Sequence, residues 1–116
     1  MKIDNEIYNQ LAKACYELAQ DFDLECDEDC YENADMEVEK DGVVYCFCVD
    51  FNYYAEWRDE SFDHAFGMWH DPWRGWYLSG VELIKCNSFS AYKLNNGEDL
   101  CDYEVDNDEL NGYTWN

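Results

Sequence analysis

At 116 residues the chain has room for one domain and no second core, and 28 acidic against seven basic side chains give it a formal charge of −21 at pH 7. With 47% hydrophobic and 18% aromatic residues it carries enough apolar surface for a core, which sets it apart from disordered acidic chains. No stretch approaches the roughly 18 apolar residues of a membrane span, and Met1-Lys2-Ile3-Asp4-Asn5-Glu6 has no apolar leader region. The expected location is therefore cytoplasmic.

Residues 4–20 predict a helix. Ile7, Leu11, Ala14 and Leu18 recur every three or four positions, and Tyr8, Cys15 and Phe22 widen the stripe. Asp4 is placed to cap it, with Glu6 where the helix dipole favours an acid. Residues 21–34 lose this period and read as an acidic loop.

Residues 35–51 hold the sharpest local signal, an Asp41-Gly42 pair between two alternating runs. A type I′ turn needs positive φ at both central residues, and Asp-Gly supplies it. That turn pairs Val38 with Tyr45 and Met36 with Phe47, and sets Glu39 against Val44 and Glu37 against Cys46. Asp35, Glu37 and Glu39 then share one face and the apolar residues the other.

Residues 52–75 show no clean period and read as a long aromatic connection, with a helical turn near 61–66. Such a connection in a compact domain is often functional. Residues 76–86, 88–94 and 100–105 read as strands, with a turn at Asn95-Asn96-Gly97. Tyr92, Leu94, Cys101, Tyr103 and Val105 are expected to share a face across that turn. Residues 106–116 read as an acidic, turn-like tail onto which Trp115 docks back. The expected architecture is a single α+β domain over residues 1–116, one N-terminal helix on a mostly antiparallel sheet of about five strands.

The charge is unevenly spread. Residues 21–41 hold eleven acids against one base, Lys40, and a second group runs from Glu98 to Glu109. The candidate partner-binding residues are Asp21, Asp23, Glu25, Asp27, Glu28, Asp29, Glu32, Asp35, Glu37 and Glu39, joined by Asp102 and Glu104. Alternate strand residues stand about 6.8 Å apart, close to two phosphate steps of one DNA strand at ~3.4 Å each. Self-repulsion at this charge destabilises a small domain, and a basic partner would offset it; a merely solvating surface is the plainer alternative.

Sharper motifs fall short. Asp21, Asp23, Glu25, Asp27 and Glu32 match positions 1, 3, 5, 7 and 12 of a calcium loop, but Cys26 stands where the turn requires glycine. Cys26-x3-Cys30 and Cys46-x-Cys48 with His64 and His70 do not complete a zinc pattern. The seven cysteines are an odd number without a disulfide framework, so they are expected to be reduced. No nucleophile elbow, phosphate loop or His-Glu-x-x-His is present, and neither an enzyme nor a cofactor is expected.

Trp57, Trp69, Trp73, Trp76 and Tyr77 cluster in sequence with both arginines, Arg58 and Arg74. They read either as core or as an aromatic interface, for which Trp57, Trp69 and Trp73 are the candidates. Direct nucleic-acid binding is opposed by the charge. In size and charge, though in no alignable segment, the chain resembles the small acidic inhibitors of phages and mobile elements. Those include DNA mimics that block restriction or CRISPR effectors. The resemblance implies a non-enzymatic protein that binds the basic nucleic-acid surface of a host protein. An immunity protein or antitoxin masking a basic nuclease toxin is the nearest alternative, and a calcium- or zinc-binding domain the next.

Overall fold

A computed structural model describes residues 2–59 and 74–116. The turn expected at 61–66, and the candidates Trp69, Trp73, His64 and His70, lie outside the described residues. The α+β class holds: helix α1 (Asn5–Ala19) packs on an antiparallel sheet of β1 (Glu28–Lys40), β2 (Val43–Asp59), β3 (Arg74–Lys93) and β4 (Thr114–Trp115). A single helical turn, α2 (Asn107–Leu110), precedes β4. The sheet order is β1-β2-β3-β4, four strands among the described residues where about five were expected.

Asp4 caps α1 as its position suggests, accepting the Glu6 N–H at 3.0 Å. The helix buries Ile7, Tyr8, Leu11, Ala12, Cys15 and Ala19. Burial raises the Cys15 thiol to about 12, so it packs as a small hydrophobe. No glycine ends the helix; Asp21 and Phe22 donate to the Leu18 and Ala19 carbonyls, tightening the last turn. Phe22 is thereby carried back over the sheet, its ring 4.9 Å from Tyr31 and 5.1 Å from Tyr53.

The hairpin has the expected register, Val38 against Tyr45, Met36 against Phe47, Glu37 against Cys46 and Glu39 against Val44. Asp41 and Gly42 take φ of 53° and 76°, as a type I′ turn requires. Val38, Tyr45, Phe47, Val49 and Phe51 form the core with Val81, Leu83 and the helix.

Three expectations are corrected by the strands' length. Residues 28–34 belong to β1 and not to a loop, paired from Glu28 against Tyr54. Residues 52–59 continue β2 and are no connection, and residues 76–86 and 88–94 are one strand rather than two. The break near residue 87 is a bulge: Cys48 faces Ser88 and Val49 faces Cys86, which leaves Asn87 extra on β3. Ile84 and Ser79 are extra in the same way.

The strand expected at 100–105 does not form. Lys93 and Leu100 N–H groups still bond across the Asn95-Asn96-Gly97 turn, to Glu98 and Ala91. The chain then leaves the sheet edge to lay Tyr103 on Tyr45, ring centroids 5.3 Å apart. Tyr92, Leu94, Cys101, Tyr103 and Val105 therefore do not share a face: Tyr103 and Val105 pack on the core, while Leu94 and Cys101 are exposed. The C-terminal segment is more ordered than a turn-like tail. Asp106 caps α2, and Trp115 docks opposite Val81 as the last strand.

α1 is about 22 Å long at ~1.5 Å per residue, so it shields only part of so long a sheet. The described residues span 61 × 28 × 20 Å with a radius of gyration of 18.1 Å, against about 13 Å for a compact chain of this length. It is a rod.

Candidate functional site

All twelve candidate acids are exposed. The structure divides them into three places. Asp35, Glu37 and Glu39 stand on the outer face of β1, away from Val38, Tyr45 and Phe47 on the helix side. Asp21, Asp23, Glu25 and Asp27 lie in the connection from α1 to β1, with Glu28, Asp29 and Glu32 in the strand's first half. Asp102 and Glu104 flank Tyr103, which packs on the helix side. They do not join the face that carries Asp35, Glu37 and Glu39.

The outer face is built by three strands. Asp35 and Glu37 from β1 edge a depression of about 750 Å³, floored by Cys46 and Cys48 of β2 and Ser88 and Ser90 of β3. The register sets Glu37, Cys46 and Ser90 in one row and Asp35, Cys48 and Ser88 in the next. Short side chains on the two inner strands leave the longer carboxylates standing above the floor. The carboxylates of such a surface offer acceptors to a cationic partner, above a floor of hydroxyls and thiols that can donate as well as accept.

The lysines do little to neutralise it. Lys40 bonds Asp4 at 3.0 Å and Glu6 at 2.7 Å, joining the end of β1 to the start of α1. Those bonds, that to Glu6 first, hold the lysine pKa well above its usual value. The Asp4 carboxyl is held below its usual range by the Glu6 N–H first and by Lys40 second. Lys2 pairs with Glu109, Lys85 with Asp50 and Lys93 with Glu98, while Lys13 lies over the Trp115 ring at 5.6 Å. Each of the five lysines is thus engaged away from the acids of β1 and of the connection before it.

The cysteines are all free. Burial, reinforced by nearby carboxylates, raises the Cys30 and Cys46 thiols, with Asp50 the chief acid beside the first and Glu37 beside the second. Burial likewise raises Cys86. Cysteine nucleophiles need the opposite, a lowered pKa in an electropositive setting. The twelve residues that resemble a calcium loop straddle the connection and β1, with Glu32 inside the strand. Among the described residues no three His, Cys, Asp or Glu side chains are grouped to hold a metal ion.

Asp50 is the acid that sequence reasoning passed over. It is only 7% exposed, accepts from the Asn33 N–H at 2.9 Å and the Asn87 side-chain amide at 2.8 Å, and faces Lys85 at 3.8 Å. An aspartate flanked by Val49 and Phe51 in a core strand was the available signal.

Of the aromatic run, the described Trp57 and Trp76 lie outside the core cluster. Trp57 is 57% exposed and meets Trp76 edge-on at 5.6 Å, across strands that run beyond the end of β1. Trp76 and Tyr77 also line a groove of about 700 Å³ with Tyr16, Phe22, Asp23 and Glu25. Phe22 counts in sequence as part of the helix stripe, so its place in this groove was not legible.

No helix among the described residues is long and apolar enough to cross a membrane. Neither a family model, nor a curated protein, nor a solved structure matches the chain.

Proposed function

We propose that this protein is a non-enzymatic inhibitor of the kind carried by phages and mobile elements. It occupies the basic nucleic-acid-binding surface of a host defence nuclease or effector complex as a DNA mimic, of the anti-restriction or anti-CRISPR type. The supporting observation is the charge per unit length. The described residues carry 25 acids and seven bases, a net charge of −18, and over an extent of 61 Å that gives about 3.4 Å per charge, close to the ~3.4 Å of one DNA strand. Across its length the rod measures 28 × 20 Å, so its narrower dimension is the one it would present across a channel shaped for nucleic acid. With every lysine engaged elsewhere, the carboxylates of β1 and the preceding connection are available to lysine and arginine clusters. Their action there is that of phosphates: steered association and an affinity that falls with salt.

The test is displacement of a labelled 20-base-pair duplex from purified restriction endonucleases and RNA-guided effector complexes. The expected result is displacement from at least one, at near-stoichiometric protein, weakening steeply between about 50 and 200 mM salt. Displacement no better than by polyglutamate of the same total charge, across the panel, contradicts the proposal.

A further inference from the structure

The groove between the end of α1 and the far half of β3 combines two features that rarely serve the same occupant. Its aromatic walls are Tyr16 from the helix, Phe22 from the turn after it, and Trp76 from β3, whose neighbour Tyr77 alternates onto the other face of the sheet. Its rim carries Asp23 and Glu25, both exposed and, among the described residues, in no ion pair or side-chain hydrogen bond. An apolar ligand would leave two carboxylates stripped of water beside it, and an anion would be repelled. A planar cation satisfies both features. The guanidinium stacks on aromatic faces and takes carboxylate oxygens through paired N–H donors, whereas an ammonium lacks the flat face and the fork.

We propose that this groove is a receptor for an arginine side chain of the partner protein. At about 700 Å³ it holds one such side chain with its flanking backbone. The inference rests on the reading of a basic partner and adds a localised anchor to it. A diffuse acidic face attracts lysine and arginine alike; this groove discriminates between them. An arginine buried among rings at an interface centre is also the residue type that dominates binding.

The probe is the blocked tripeptide acetyl-Gly-Arg-Gly-amide, titrated into the intact protein and followed by two-dimensional NMR at low salt. The expected result is saturable shifts confined to Tyr16, Phe22, Asp23, Glu25, Trp76 and Tyr77. The lysine tripeptide should bind about threefold to fivefold more weakly, and the citrulline and leucine tripeptides should give no saturable shift. Asp23→Asn with Glu25→Gln should weaken the arginine peptide about tenfold with the melting temperature unchanged or higher; Trp76→Leu should weaken it about fivefold.

Equal binding of the leucine peptide would make the groove an apolar peptide site and overturn the proposal. Shifts that spread over the acidic surface without saturating, or that ignore the Asp23/Glu25 change, would overturn it too. Because the probe involves no partner protein, the groove can fail while duplex displacement succeeds, and the reverse.

Discussion

Asp50 connects irregularities on both of its neighbouring strands. Asn33 lies where β1 shifts register and has φ of 58°, and Asn87 is the extra residue of a β3 bulge. The Asn87 amide also donates to the Asn33 side-chain oxygen at 2.9 Å, closing a ring of three residues from three strands. Removing the carboxylate strips the partner from a backbone N–H held in an unusual conformation. Hydrogen bonds to charged groups contribute about 1.5–3 kcal/mol, and the orphaned donors add a penalty. Asp50→Ala is therefore expected to lower the unfolding free energy by about 3 kcal/mol and Asp50→Asn by about half as much, measured by urea titration with unchanged slope. A loss under 0.5 kcal/mol for the alanine variant would show that the bulges are held by strand pairing alone.

The elements themselves were legible to different degrees, for physical reasons. The 35–51 hairpin was readable because its turn and its alternation agree, so one error in register would have put every apolar residue in water. The turn carries its own prediction. Gly42 has φ of 76° and open space around a would-be Cβ, so Gly42→Ala costs conformational strain alone, about 1 kcal/mol. Asp41→Asn keeps the left-handed preference and sheds a charge, and is expected to leave the melting temperature equal or higher. Gly80 differs: a Cβ there would push the Asn116 side chain aside and crowd the Trp115 carbonyl of the C-terminal strand at 3.1 Å.

Where the reading failed, pairing overrode pattern. The first half of β1 is exposed on both sides, so no apolar alternation marks Glu28–Asn33 as strand. For β2 a signal did exist: Val49, Phe51, Tyr53, Ala55 and Trp57 keep a period of two beyond the hairpin. In β3 three bulges reset the period, which makes one strand read as two.

At the scale of the whole molecule, a rod of one helix and a long antiparallel sheet accounts for how so acidic a chain folds. Its length gives a surface of 7672 Å² over which to spread the acids, more than the roughly 6,600 Å² of a compact protein of this mass. The acidity was visible in the composition. That Asp102 and Glu104 lie away from the outer face was not, because it depends on Tyr103 leaving the sheet edge to pack on Tyr45.

The central claim is that the β1 carboxylates act as positioned phosphate substitutes and not merely as net charge. The most direct measurement compares two triple variants in the duplex-displacement assay. Asp35→Asn, Glu37→Gln and Glu39→Gln remove three charges from the outer face while keeping side-chain shape. Glu17→Gln, Asp99→Asn and Asp108→Asn remove three exposed charges elsewhere. The account predicts that the first triple weakens binding by about 1 kcal/mol per carboxylate, roughly a hundredfold together, with stability equal or slightly higher. The second should weaken it only a few-fold. Equal losses from the two triples, or no loss from the first, would contradict the account.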